Sequence, residues 1–273
     1  MLIGSLLNNV ETLINVTKKN ENELEKPDLF FQEKLLPTKG KPSKAFRYLE
    51  LGIIPVRYVI IQKRLLFLKY ILNESTDSMI KQVYMQMKQD SRKGDFVDHI
   101  KRDLNELEIR MEDYEINEMT SNKWKKLVKE KTKDLAFKNL VKENNMKEKT
   151  KHIKFKYLEM SDYLKVNQRT DLSRIIFETR SGTLDLKSLQ QWKYENNLCV
   201  LCELKEENME HFMKCKEYGD TNKNLDWKDI YKNETNKQFK IAEEIKRRMK
   251  VRKYKQDAGL DFPGSQAPTP VVE

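Results

Sequence analysis

Every cysteine of the chain falls in one 17-residue stretch, as Cys199, Cys202 and Cys215, with His211 between the last two. The spacing is C-x2-C-x8-H-x3-C, the form of a zinc site. A Cys-x2-Cys turn aims two thiolates at one point. A short helix beginning near Glu206 would carry His211 and Cys215, four apart, on one face to meet them. Four protein ligands fill a tetrahedral shell around Zn2+ and leave no position for water or substrate, so the ion's expected role is structural. Two other fates of the thiols compete with this one. Burial as small apolar groups would not explain the clustering with a histidine, and a disulfide would leave one of the three cysteines unpaired.

Other reactive patterns are missing from the sequence. There is no glycine-rich phosphate loop, no G-x-S-x-G elbow and no H-E-x-x-H pair. His99 and His152 stand alone in polar helical contexts. No Tyr-x-Asp-Asp box or second spaced aspartate set could hold two magnesium ions. The sequence therefore predicts a chain that is not an enzyme.

Cations and aromatic residues around the cysteines point to a polyanion. The chain carries a formal net charge of +10, which favours nucleic acid as a partner. Nine lysines and arginines lie between Lys237 and Lys255 against only Glu243 and Glu244. Within that run Lys246, Arg247, Arg248, Lys250, Arg252 and Lys253 are candidate phosphate contacts or a nuclear-import signal. A solvated helix face is the competing reading. Lys205, Lys214 and Lys216 are further candidates beside the cysteines. Trp192, Tyr194 and Phe212 could stack on unpaired bases of RNA or DNA, although padding a small metal core suits Trp192 and Tyr194 better.

The elements that must position these residues are helical. Only 8 glycines and 7 prolines occur in 273 residues, so turns are few and a mainly α chain is expected. Thr17 would cap a charged helix, Lys18 to Leu36, interrupted by Pro27. A loop follows from Pro37 to Pro42, then a segment from Lys44 to Leu51 capped by Ser43 and ended by Gly52. Val56 to Leu72 is apolar on nearly every side and should be a central core helix. Arg57 and Arg64 share a narrow stripe on it, where they should pair with acids or face water. Further periodic segments hold Met79 to Met87, Phe96 to Leu107 behind an Asp95 cap, and Trp124 to Leu140 behind a Ser121 cap. The Met79–Met87 stripe reads as packing. Residues 143–156 read as a frayed end or linker. Two short helices should start at Ser161 or Asp162 and at Asp171, the second stopped by Ser181-Gly182. Thr183 to Leu189 alternates like a strand, and the last residues, from Ala258, should be disordered. No signal peptide and no apolar run of membrane-spanning length is present, so an intracellular place, nucleus or cytoplasm, is expected.

Several stretches together carry a family resemblance: Ser5-Leu-Leu-Asn-Asn-Val-Glu-Thr12, Glu23-Leu-Glu-Lys26, Tyr48-Leu-Glu-Leu-Gly-Ile-Ile-Pro-Val-Arg-Tyr58, Arg64 to Leu72, the Cys199–Cys215 knuckle with Glu210-His211, and the basic segment from Trp227 to Lys255. With them the chain resembles the region downstream of the polymerase core in non-LTR (LINE-like) retrotransposon reverse transcriptases. The resemblance implies a thumb or connector remnant at 1–36, a helical linker domain at 43–180, a CCHC zinc knuckle at 190–220, a basic helical segment at 224–256 and a disordered tail at 257–273. It also implies a grip on element RNA or target DNA, without the polymerase or endonuclease sites of the parent enzyme. A helical scaffold that binds another protein, or a retroelement fragment with no selected function, remain as alternatives.

Overall fold

The computed structural model describes residues 18–90, 92–219 and 225–258. Residues 1–17, where the first of two short helices in 1–36 is expected, most of the tail and the loop at 220–224 lie outside these residues. Among the described residues there are ten α-helices, five short 3-10 turns and no sheet. The mainly α expectation holds. Thr183–Leu189 is not a strand. Its buried Leu184 and Leu186 sit in successive turns whose backbone bonds are local, such as Leu189 N–H to Leu186 O at 3.0 Å.

The helices fall into two compact units. One holds residues 18–35, 44–146 and 154–160, with α1 (Lys18–Leu35), α2 (Lys44–Leu51), α3 (Val56–Asn73), α4 (Met79–Asp90), α5 (Phe96–Glu106), α6 (Asp113–Glu118) and α7 (Ser121–Asn145). As its all-round apolar character requires, α3 is the hub and touches α1, α4, α5, α6 and α7. Most of its residues are buried against these neighbours, while Arg57, Tyr70 and Asn73 are exposed. Its main neighbour, α7, buries Trp124, Val128, Thr132, Ala136, Leu140 and Asn144, one residue in four, and the Trp124 indole donates to Leu65 O at 2.9 Å. Both arginines of the α3 stripe pair with acids. Arg64 makes a buried two-pronged contact with Asp103 at 2.6 and 3.1 Å, and Arg57 holds Glu106 at 2.7 Å.

Gly52 ends α2 as expected, and nothing else would fit there. Its φ is +65°, and a Cβ would stand 2.2 Å from Met160 N, because the chain passes close by at the Leu51–Met160 bridge. Asp95 caps α5, accepting from Asp98 N–H at 2.7 Å. Three expectations shift. α1 runs through Pro27 without a break: proline removes one helix bond, but neighbours on both sides anchor the helix, Glu25 accepting from Tyr48 and Gln32 lying buried. The cap of α7 is Thr120, not Ser121, its hydroxyl accepting from Lys123 N–H. On α4 only Tyr84 is buried, while Met79, Val83 and Met85 are exposed.

The second unit holds residues 36–43, 147–153, 161–219 and 225–258. It contains α8 (Thr170–Arg180), α9 (Met209–Lys214) and the long α10 (Thr235–Ala258). Ile241, Ala242 and Ile245 are buried on α10, which packs on α8 and on the 3-10 turns Asp162–Leu164, Lys216–Tyr218 and Trp227–Tyr231. The early segment is tied in by Lys39 N–H to the Glu178 carboxylate at 3.1 Å. Residues 170–180, 209–218 and 235–258 thus share this unit, in which α8 and the turn Lys216–Tyr218 pack on α10. No helix among the described residues is long and apolar enough to cross a membrane.

Candidate metal centre

The cysteine turn closes on itself. Leu198 and Glu206 form an antiparallel bridge, Cys199 N–H donates to Lys205 O at 2.7 Å, and Glu203 N–H donates to Cys199 O at 3.0 Å. Glu203 takes a left-handed φ of +56° to complete the turn. The chain then enters α9 through Asn208, whose side chain accepts from His211 N–H at 2.9 Å. This capping amide starts the helix at Met209, later than the expected Glu206. Cys215 lies one residue past the end of α9, its N–H bound to His211 O at 2.7 Å.

These elements bring the four expected ligands together. The donor atoms of Cys199, Cys202, His211 and Cys215 all lie within 4.8 Å of one another, and Cys202 Sγ is 3.2 Å from His211 Nε2. Zinc bonds of about 2.0–2.3 Å in a tetrahedron place donors somewhat under 4 Å apart, so the cluster is sized for such an ion. Cys199 and Cys215 are buried, Cys202 and His211 half-buried. Burial pushes the Cys215 thiol up to about 12, against a backbone hydrogen bond from Glu217. At Cys202 burial acts the same way, but hydrogen bonds from the backbone N–H groups of Leu204 and Lys205 and with the Cys199 and Cys215 thiols together hold it below its ordinary value. Burial first, then Lys205, keeps His211 below the usual histidine range, so its neutral ring can act as a ligand at neutral pH. Three sulfurs and one imidazole are a donor set suited to zinc.

The basic helix behind the cluster turns out to be two-faced. Arg248, expected on phosphate, is fully buried. Its Nη1 donates to Phe212 O at 2.9 Å and Cys215 O at 3.2 Å, and its Nε to Glu244 at 2.6 Å. Arg252 is also buried and makes two 2.9 Å bonds to Glu207. Both are corrected from phosphate contacts to internal partners, because they continue the stripe of Ile241 and Ile245. Arg247 donates to Tyr218 O and to Glu244, and Lys246 pairs with Asp171. Lys250 and Lys253 are exposed on the outer face, as are Lys205, Lys214 and Lys216 nearer the cluster. Lys214 is in a surface pair with Glu210.

The aromatics also divide. Phe212 is fully buried edge-on to Tyr218, ring centres 4.9 Å apart, so it pads the core and is corrected as a base-stacking group. Tyr194 is half-buried and donates to Asp185 at 2.7 Å, with Arg252 over its ring. Trp192 does not pad anything: it is 80% exposed. Beside the cluster lies a groove of about 580 Å³ lined in part by Cys202, Leu204, Lys205, His211 and Lys216.

Glu207 was not singled out by sequence reasoning. It is fully buried between the two ligand pairs and accepts from Arg252, from Tyr218 OH at 3.1 Å and from Lys187 N–H at 3.0 Å. Its only sequence signal was an acid inside the knuckle with arginines seven residues or fewer apart on the following helix, a pattern shared by many exposed helices. No family model matches the chain, and neither the curated proteins nor the solved structures hold a match to it.

Proposed function

We propose that the second unit is a zinc-stabilised module that binds nucleic acid along the outer face of α10. The observation that carries this reading is the division of α10 by face. Arg248 and Arg252 turn inward to bind the protein, while Lys250 and Lys253 are exposed and make no ion pair among the described residues. A helix of 24 residues is about 36 Å long, enough to follow several phosphates. Lys205 and Lys216 with exposed Trp192 add cations and a stacking ring near the cluster. The Tyr48–Tyr58 stretch and the knuckle spacing support a parent among non-LTR retrotransposon reverse transcriptases, in which this chain would grip RNA or DNA and perform no polymerisation of its own. Template-dependent nucleotide incorporation by the purified chain would overturn that last point.

The test is binding to a labelled single-stranded RNA and a DNA duplex over a salt series. Each neutralised phosphate releases counterions, so affinity should fall steeply with salt. Reversing Lys250→Glu and Lys253→Glu should weaken binding and flatten the log–log slope by about 2. Binding indifferent to salt and to both reversals would exclude this face. A protein-interaction scaffold is the second reading, favoured by exposed Met79, Val83 and Met85 on α4. Self-association lost on Met79→Asp, with no nucleic-acid binding, would select it.

A further inference from the structure

We infer that α10 completes the metal centre, with Arg248, Arg252 and Lys255 as positioning residues for its ligands. This rests on the zinc reading of the cluster. The three cations project from one side of the helix, at spacings of four and three residues. Each holds a different piece of the site. Arg248 binds Phe212 O and Cys215 O, the carbonyls that end α9. Arg252 binds Glu207, in the short connection between the cysteine turn and α9. Lys255 Nζ donates to Leu201 O at 2.9 Å, inside the Cys199–Cys202 turn, and lies 3.9 Å from Glu203.

The need for such support follows from the size of the parts. α9 has six residues, too few to be stable alone, and its last carbonyls have no partners within the helix. A buried guanidinium supplies those partners and suits the negative end of the helix. The cysteine turn is likewise short and bends through a left-handed Glu203. Groups that orient ligands in this way commonly change metal affinity 10- to 100-fold when removed, and the coupling is reciprocal: zinc that needs a docked α10 also holds α10 in place.

The experiment measures zinc affinity of the full chain by competition with a chromogenic chelator. Arg248→Lys and Lys255→Met are compared with the outward control Lys250→Met. The inward variants should bind zinc about 10- to 100-fold more weakly, and the control should match wild type. Arg248→Lys keeps the charge but loses the fork, so a loss there reports geometry. Because Arg248 is buried, a folding defect is checked on half-exposed Lys255→Met. That variant should keep the thermal midpoint of the zinc-free chain while the rise in Tm caused by zinc becomes smaller, a separation that a merely structural contact would not give. Equal zinc affinity in all four proteins, or equal losses of midpoint with and without zinc, would overturn the inference. A wild-type chain that binds no zinc would instead bring down the metal centre itself.

Discussion

At Cys215 two demands meet. The thiol is buried and held up to about 12, so without metal it keeps its proton at neutral pH, while a zinc ligand must be a thiolate. Zinc therefore has to displace at least that proton. His211 lies below the usual histidine range and gives up little. The sign is set by the thiols: acid competes with the metal, and affinity should rise with pH by about tenfold per unit for each proton released between pH 6 and 8. Chelator competition at several pH values measures it, and a flat profile would mean that the sulfurs are not the ligands. The ligands were legible because spacing alone identifies them. The residues that hold them were not. Glu207, Asn208 and Tyr218 are ordinary surface types until the chain folds, and Arg248 and Arg252 read as phosphate contacts because charge says nothing about which side of a helix it occupies.

Among the elements, the longer helices were readable from periodicity, the short α6 with its single buried Ile116 was not, and other misses came where a local rule was overruled. Pro27 was expected to interrupt α1, but packing carries the helix through it. Apolar alternation at 183–189 suggested a strand, yet no neighbouring chain offers a ladder and the leucines are buried from turns. Gly52 is the opposite case, a stop signal whose tightness the sequence did not reveal. Alanine there would combine a left-handed φ with backbone contact at 2.2 Å. Gly52→Ala should cost more than the roughly 1–2 kcal/mol of left-handed strain alone, because Met160 and Glu159 must also move. Gly94, at φ +90° with nothing within 4 Å of a Cβ, isolates the strain term. Urea unfolding followed by the buried Trp124 should show a larger loss for Gly52→Ala than for Gly94→Ala. Equal losses would show that the chain at Met160 yields freely.

For the whole molecule, the division into two units cuts across the order of the sequence. Residues 36–43 and 147–153 belong with the C-terminal unit although they are far from it along the chain, a placement no local pattern announces. The net charge of +10 was legible, but not its allocation. Some of it neutralises carboxylates inside the units, as Arg64 does for Asp103 and Arg252 for Glu207, and only the remainder is available to a partner.

The inward arginines also make the basic run a gauge of its own docking. From Lys246 to Lys253 there are six lysines and arginines, each a site for trypsin, which needs an unfolded stretch to cut. Arg248 and Arg252 are sealed while α10 is in place, so cleavage after them counts the moments when it is not. Zinc should lengthen the survival of those two bonds, and chelation should shorten it. Fragments mapped by mass spectrometry over time would show this. If the cleavage rates at Arg248 and Arg252 ignore the metal, the helix and the cysteines open independently.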